Sequence, residues 1–337
     1  MTTSCGPAFM TRSMIKNAEL VPAHIHDDLS QSRELVLVQD LMTDHLNRLM
    51  PGPANSAGHY QLQTGGSLLR ARLALASGRA FDSSNSYRVA AAAACEFIHN
   101  ASLIHDDLLD RDTTRRGAPS VWKQYGDGTA LCAGDLLLCA AFGVAAELDN
   151  PNESRLLSQH IASMTGRVIV GQSVEIAHPA NQSLPSLCAY LEATKAKTAP
   201  FIELPLMIGA IAGGADHTAK NYIRQLASAI GLAYQIIDDL DDLAFNRQSL
   251  HPFHAWHHHR HGGNENAEGR IRRATQHAIA ALKRSRRLLE RLDSNVTRSL
   301  GPTIGPLLSK LEQRALAHRS NHQLILEPET YDRVVAV

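Results

Sequence analysis

One segment, EFIHNASLIHDDLLDRDTTRRGAPSVWKQYG at residues 96–126, decides how the rest of the sequence is interpreted. It places Asp106, Asp107 and Asp110 at the end of a long, mostly apolar helical pattern. On an α-helix, side chains four residues apart share a face and adjacent ones are about 100° apart, so all three carboxylates reach the same end of the helix. The segment predicts a cluster of carboxylates above an apolar interior.

The same pattern occurs a second time, in the stretch DDLDD at residues 238–242. Its aspartates are Asp238, Asp239 and Asp242, again at the end of an apolar helical run. One such cluster is explained well enough as a solvated helix end, but two of this form are not. Gathered carboxylates repel one another, and a hard divalent cation such as Mg²⁺ removes that repulsion through its oxygen ligands. The pair predicts a Mg²⁺ site for a phosphate-bearing substrate.

Cationic side chains that suit a diphosphate lie close to both clusters in the sequence. Arg115 and Arg116 follow the first cluster, and Lys195 and Lys197 lie between the two. Arginine binds phosphate through two parallel hydrogen bonds, and lysine acts as a point charge. Each cation alone is weak evidence, because most are simply surface residues. Their combination with the aspartates indicates a diphosphate ligand.

The composition of the 337 residues excludes several classes of protein. Hydrophobic residues make up 44% of the chain, and 33 basic residues balance 33 acidic ones, so neither disorder nor a nucleic-acid partner is expected. The apolar run 200–215 contains Glu203 and is shorter than a bilayer requires, so no integral membrane segment is expected. The five scattered cysteines form no disulfide framework, and the N-terminus lacks a signal-peptide core. These features predict a cytoplasmic protein.

Periodicity predicts an all-α fold in a single domain spanning residues 31–320. Residues 1–30 are expected to be a poorly ordered extension, and 321–337 a C-terminal tail. Pro200 and Pro205 are expected to kink or divide one helical pattern, and no hairpin signal lies between alternating segments. The histidine-rich stretch 251–261 is interpreted as a solvated loop. The helical patterns cover 32–50, 66–78, 87–109, 130–148, 155–176, 186–212, 219–243, 267–292 and 303–317.

At this point the sequence resembles a known family, the trans-type (head-to-tail) isoprenyl diphosphate synthases, or polyprenyl synthetases. The resemblance rests on motifs that run in the family's order. These are GGSLLRARLALASG at 65–78, the segment 96–126, AGDLLL at 133–138, GQSVEI at 171–176, KT at 197–198 and GLAYQIIDDLDD at 231–242. It implies a bundle of long helices around a deep apolar cavity, usually in a homodimer.

The resemblance also implies a reaction: an allylic prenyl diphosphate is condensed with isopentenyl diphosphate to give a longer trans-prenyl diphosphate. The six aspartates of the two clusters would be catalytic and hold Mg²⁺. The allylic diphosphate would be bound by Arg115, Lys197, Thr198 and Gln235. Isopentenyl diphosphate would be bound by Arg70, His99 and Arg116. Ala101 and Ser102 would set product length, and their small size favours products of C20 or longer.

Three positions depart from the family pattern. Ser67 stands where the first motif normally has lysine, Trp122 where histidine is usual, and Phe245 in a glycine position, with no lysine following it before Lys283. The departures weaken the isopentenyl half of the site more than the ionising half. Two alternatives therefore stay open, a class I terpene cyclase and a non-catalytic partner subunit.

An alternative from another class rests on two Glu-x-x-His pairs. Glu96 precedes His99, and Glu175 precedes His178, with the spacing that di-iron carboxylate bundles use. Pro179 follows the second pair at once, and helices usually end before a proline. This interpretation leaves both aspartate clusters unexplained.

Overall fold

The computed structural model describes residues 23–177, 187–244 and 267–320. Within these ranges it contains twelve helices and one pair of short antiparallel strands. The helices are α1 (Ala23–Arg48), α2 (Pro53–Gln63), α3 (Leu69–Ala80), α4 (Asn85–Asp110), α5 (Val121–Tyr125), α6 (Asp127–Ala146), α7 (Pro151–Ala177), α8 (Leu187–Thr198), α9 (Pro200–Ala212), α10 (His217–Ala244), α11 (Ala267–Leu289) and α12 (Ser294–Ser320). The strands are β1 (Thr114–Arg115) and β2 (Ala118–Pro119).

Two apolar clusters hold the bundle together. The first is built on α4, whose alanine run 90–94 is buried between α1, α6 and α7. The second joins α3 and α9 to α10, α11 and α12. Small residues let α3 and α9 approach each other closely. A Cβ on Gly209 of α9 would lie 2.2 Å from the Ser77 carbonyl oxygen of α3, so only glycine fits there.

The helical course of α4 follows from its ends and its composition. The Ser84 side chain accepts a hydrogen bond from the Tyr87 backbone N–H at 3.2 Å, which caps the first turn. Arg111 ends the helix in the left-handed conformation, with φ of 59°. The apolar middle of α4 is therefore fixed in the core, and its last turn carries the first aspartate cluster out of it.

The predicted all-α fold is confirmed, and the helical pattern is divided at Pro200, which begins α9. Pro205 lies inside α9 and does not divide it. The largest differences from the predicted helices are in three places. Helix α1 begins at Ala23 rather than at 32, and α2, which begins at Pro53, lies where no helical pattern was predicted. Proline suits the first turn of a helix, where its missing N–H has no partner to lose. Helix α12 begins at Ser294 and continues through both of its prolines.

The strand pair is a difference from the expectation that the chain has no hairpin. Its two-residue turn is Arg116-Gly117, with φ values of 55° and 81°. Hairpin turns of this kind need positive φ at both central residues, and Asn-Gly is the usual signal for them. Because the first turn position is arginine rather than asparagine or glycine, the sequence did not predict this hairpin.

Among the described helices, α6 is long and apolar enough to span a bilayer by length and composition. It packs against α4 and α2, and 44% of its apolar stretch is buried within the bundle. Its exposed part includes Leu131 and Phe142.

Candidate active site

The first aspartate cluster ends α4 and is joined to the hairpin by one arginine. Asp107 is fully buried, and its Oδ1 accepts a hydrogen bond from Arg115 Nε at 2.9 Å and another from Arg115 Nη2. Arg115 also lies 3.6 Å from Asp112. Burial raises the pKa of Asp107, although Arg115 opposes the shift. Asp106 and Asp110 lie nearer the surface, at the mouth of the helix.

The tight turn of the hairpin places the Arg116 side chain against Gly65 and Gly66. Arg116 Nη1 donates to the Gly65 carbonyl and lies 3.5 Å from Thr64 Oγ1. Gly66 has φ of 144°, and a Cβ there would lie 2.9 Å from Arg116 Cζ. Glycine is favoured at this position by its conformation, and a side chain there would also displace the Arg116 guanidinium. The structure brings the first motif and the arginine pair together.

The three residues predicted to bind isopentenyl diphosphate lie around a buried carboxylate. Glu96 accepts a hydrogen bond from the Ala71 backbone N–H at 2.9 Å, and burial raises its pKa while Arg70 and Arg116 lower it. Burial lowers the pKa of His99, and the charges of Arg70, Arg116 and then Arg115 lower it further. His99 is therefore a neutral imidazole at physiological pH. The electrostatic coupling shows that the three predicted residues share one region.

Ser67, the position that departs from the family's lysine, is exposed. Its carbonyl accepts a hydrogen bond from Arg72 Nε at 3.2 Å. Arg72 was not predicted as a site residue, because the family motif assigns no role to an arginine at that position. The structure therefore places a different cation beside the residue that lacks one.

The second aspartate cluster lies near the end of α10 and is tied to α8 through neutral donors. Asp239 accepts from Gln235 Nε2 at 2.8 Å and from the Tyr190 hydroxyl. Gln235 Oε1 in turn accepts from Thr198 Oγ1 at 2.8 Å. Burial raises the pKa of Asp239 to about 6, against these hydrogen bonds, and the neighbouring Asp238 and Asp242 raise it further. Thr198 and Gln235 therefore lie together, with Tyr190 beside them, and their role toward the allylic diphosphate stays a prediction.

The C-terminal helix supplies the cations of the second cluster. Arg314 Nη2 lies 2.6 Å from Asp238 Oδ1, and Arg314 Nε lies 3.0 Å from Asp241 Oδ2. His318 Nε2 lies 2.5 Å from Asp241 Oδ1. Burial raises the pKa of Asp238, and Arg314 opposes that shift. No sequence signal pointed to Arg314 or His318, because both are more than 70 residues from the motif.

The donor groups at both clusters suit a hard cation. Mg²⁺ prefers carboxylate oxygens, and among the described residues the buried Oδ2 of Asp107 has no hydrogen-bond partner. In the part of the chain that the structure describes, however, no three carboxylate, imidazole or thiol groups converge on a common point. Arg115 and Arg314 instead engage the carboxylates. The chemistry of the donor set fits Mg²⁺, and its assignment to the six aspartates stays a prediction.

The remaining predicted residues have defined surroundings. Ala101 is fully buried in the first apolar cluster, and the Ser102 hydroxyl donates to the His99 carbonyl at 2.8 Å. Trp122 Nε1 donates to the Asp112 carbonyl at 2.8 Å, and the Arg111 guanidinium lies 5.2 Å from its ring centroid. Trp122 thus fixes the loop after α4.

Several features of the sequence analysis lie outside the described residues. These are Phe245, the histidine-rich stretch 251–261, and His178 of the second Glu-x-x-His pair. In the first such pair, Glu96 is bound to the backbone of α3 rather than to a group that could share a metal ion with it. The di-iron interpretation gains no support from the described geometry.

Comparison with known proteins agrees with this geometry. Residues 53–251 match the family model described as polyprenyl synthetase. Farnesyl diphosphate synthase of Geobacillus stearothermophilus is 34% identical over 61% of this chain and 72% of its own length. Heptaprenyl diphosphate synthase component 2 of Bacillus subtilis is 33% identical over 58% of this chain, and the chain spans only 55% of that relative's length.

The fold has solved counterparts as well. A geranylgeranyl pyrophosphate synthetase from the archaeon Geoglobus acetivorans superposes with a TM-score of 0.68 and 24% identity. The superposition covers 83% of this chain and 98% of the archaeal one. The superposition therefore covers more of the chain than the family model does. The chain belongs to the polyprenyl synthetase family.

Proposed function

We propose that this protein is a Mg²⁺-dependent trans-prenyltransferase. In the reaction, the C–O bond of an allylic prenyl diphosphate breaks and the diphosphate leaves with the electron pair. The double bond of isopentenyl diphosphate attacks the allylic carbon, and loss of a proton gives the longer trans-prenyl diphosphate. One observation carries the proposal: aspartate clusters end two long helices, α4 and α10, and each cluster has cationic groups against it.

The ionising half of the reaction needs stabilisation of the departing diphosphate. Asp106, Asp107, Asp110, Asp238, Asp239 and Asp242 are the residues that would hold Mg²⁺. When bound, the ion supplies positive charge to the leaving oxygens. Arg115 and Lys197 add fixed cations, and Thr198 and Gln235 add hydrogen-bonding groups. Preorganised charge of this kind acts where negative charge develops in the transition state.

The accepting half of the reaction is assigned to Arg70, His99 and Arg116. Glu96 is buried beneath them and is coupled to both arginines, which supports their orientation. A neutral His99 contributes a hydrogen bond without adding charge. Arg72, beside Ser67, adds a cation close to the position where the family has lysine. These contacts support the use of isopentenyl diphosphate by this chain.

Product length is assigned to α4. Ala101 lies five residues before Asp106, about 7.5 Å deeper along the helix axis. Its small side chain leaves room for a growing chain, so products of C20 or longer are favoured over C15. The relatives act on different lengths by their names, and their range leaves this assignment to experiment.

A class I terpene cyclase is the second candidate, and Ser67 is the observation that favours it. A cyclase ionises an allylic diphosphate in the same way but captures the cation with a double bond of the same molecule. It has no need of a lysine for a second diphosphate. A non-catalytic partner subunit would show neither reaction.

We also propose a homodimer, because α6 and α7 present apolar side chains to solvent. Leu131 and Phe142 lie eleven residues apart on one face of α6, 51% and 37% exposed. On α7, Ile169, Val170 and Ile176 are each more than half exposed. The two helices are in contact, so these side chains form a surface that a second copy of the same chain would cover. Light scattering measures the molar mass of the purified protein in solution, which for a homodimer is twice that of one chain.

The cytoplasmic location expected from the sequence stays a prediction.

Product analysis tests the proposed reaction. The protein and Mg²⁺ are incubated with C10, C15 and C20 allylic diphosphates, each with and without isopentenyl diphosphate. Prenyl transfer predicts longer linear diphosphates only when isopentenyl diphosphate is present. Cyclic hydrocarbons formed without it would establish the cyclase instead, and no turnover in either case would leave the partner-subunit alternative.

A further inference from the structure

A second charged cavity lies between α7, α9 and α10, away from the aspartate clusters. Its volume is about 620 Å³, and four cationic side chains line it, namely Arg167, Lys195, Lys220 and Arg224. Arg224 precedes Asp238 by fourteen residues on α10, which places Arg224 about 21 Å along the helix from the second cluster. The opposite side of the cavity reaches Lys195 and Ala199, close in sequence to Lys197 and Thr198. Arg167, Lys220 and Arg224 have no role in the proposed reaction.

A buried carboxylate organises the two arginines of this cavity. Glu203 of α9 has a side chain that is only 6% exposed. Its Oε2 lies 2.7 Å from Arg167 Nη1, and its Oε1 lies 3.7 Å from Arg224 Nε. Within the described residues, neither Lys195 nor Lys220 forms an ion pair. One negative charge therefore faces four positive ones, and the excess favours an anionic ligand.

The cavity is also lined by one polar side chain, His160, and by three apolar side chains that form what we call its floor. His160 is 9% exposed, and its buried Nε2 has no hydrogen-bond partner in the described structure. Burial lowers the pKa of His160 to about 4, so its ring is neutral at physiological pH. The side chains of Met164, Met207 and Ile211 also line the cavity. A ligand that fits has a charged end and an apolar part.

We propose that this cavity binds a phosphate-bearing amphiphile, with its phosphate on Arg167, Lys195, Lys220 and Arg224 and its apolar part on the floor. Guanidinium groups bind phosphate oxygens in pairs, and Glu203 already holds both arginines at the cavity. Three of these four cations, Arg167, Lys220 and Arg224, have no part in the proposed reaction, so the phosphate would occupy a position that the reaction does not use.

Calorimetric titration with inorganic phosphate and with octyl phosphate, in EDTA, tests the site. Octyl phosphate should bind more tightly than inorganic phosphate, because its chain is removed from water. The double variant Lys220→Gln/Arg224→Gln should weaken both affinities by about tenfold or more. Lys283→Gln/Arg287→Gln removes the same charges at the same spacing from an exposed face of α11 and should change neither.

Wild-type affinities in Lys220→Gln/Arg224→Gln would overturn the site, since the probes would then be bound elsewhere. No binding of either probe to the wild-type protein at millimolar concentration would overturn it as well. Equal affinity for the two probes would remove the apolar part of the proposal. Circular dichroism checks the fold of the double variant. If that variant is unfolded, the single variant Lys220→Gln replaces it, with a several-fold loss expected and an unchanged affinity decisive against the site.

Discussion

The aspartates at the end of α4 are held by a residue close to them in sequence, whereas those at the end of α10 are held by distant ones. Arg115 follows Asp107 by eight residues. Arg314 lies 76 residues from Asp238, and Tyr190 lies 49 from Asp239. The contacts that hold the first cluster therefore lie within one helix and the hairpin that follows it. The second depends on the packing of α8, α10 and α12.

The two clusters also differ in how much charge is buried. The side chain of Asp107 is 0% exposed, with Arg115 as its cation. The side chains of Asp238 and Asp241 are 36% and 30% exposed, and they share Arg314. Buried ion pairs are costly to break, while exposed ones contribute little. The first cluster is therefore expected to matter more for stability, although both are expected to matter for activity.

The largest expected effect is on turnover. Asp106→Ala and Asp238→Ala should each lower kcat by about 10²–10³, because each removes a carboxylate that would serve the leaving diphosphate. Asp44→Ala, at an exposed position of α1, is the matched control and should leave kcat unchanged. Steady-state kinetics with the preferred allylic substrate measures all three. An activity of Asp238→Ala equal to that of the wild type would contradict the claim that both clusters serve the reaction.

The next effect separates the clusters by stability. Arg115→Gln leaves Asp107 buried without its cation and should lower the free energy of unfolding by about 3 kcal/mol. Arg314→Gln should cost about 1 kcal/mol or less, because its partners are partly exposed. Urea unfolding gives both values, with Arg155→Gln on the exposed face of α7 as the control. Equal losses for Arg115→Gln and Arg314→Gln would contradict the proposed difference.

A smaller effect depends on pH and concerns the second cluster alone. Burial raises the pKa of Asp239 to about 6, so the folded state keeps a proton between pH 4 and 6 that the unfolded state has lost. The charged carboxylate therefore lowers stability at pH 7, and this loss disappears as the pH falls toward 4. In EDTA, Asp239→Asn should raise the free energy of unfolding by about 1–3 kcal/mol at pH 7 and hardly at all at pH 3.5.

Asp44→Asn serves as the control for that measurement, because its carboxylate is exposed. A gain of the same size at both pH values would show that the effect is one of packing rather than charge. A loss of stability at pH 7 would mean that Tyr190 and Gln235 stabilise the carboxylate more than burial destabilises it.

The smallest expected effect on rate concerns the α4 side alone. Ala101→Phe should shorten the product and change total turnover by less than about tenfold, since it fills apolar volume without touching either cluster. Ala101 is fully buried, so overpacking should cost about 1–3 kcal/mol of stability. Ala101→Ser keeps the small volume and is the control. An unchanged product length in a folded, active Ala101→Phe protein would place the length-setting residue on another helix.

The contrast between the clusters explains how much could be predicted from sequence. The helical periodicity and the division of one helical pattern at Pro200 were predicted correctly. These features depend on local propensity or on motifs that carry their own chemistry. The site around Arg70, His99 and Arg116 was predicted through the resemblance, and the structure places these residues around Glu96.

What sequence reasoning missed arises from contacts between distant elements. Arg314 and His318 lie in an ordinary-looking amphipathic helix, and only the packing of α12 beside α10 gives them partners. Tyr190 and Arg72 were missed for the same reason. The hairpin was missed because Arg116 occupies a turn position where glycine or asparagine is usual. In each case the determining interaction is not encoded by neighbours in the chain.

The central claim is that two separately held aspartate clusters serve one reaction at one site. The most direct test is kcat/KM for Asp106→Ala, Asp238→Ala and the double variant. Residues that act as a unit are strongly non-additive. The account predicts that the double variant is within about tenfold of the more damaged single variant. Losses that multiply in the double variant would show that the clusters act independently, and would contradict the account.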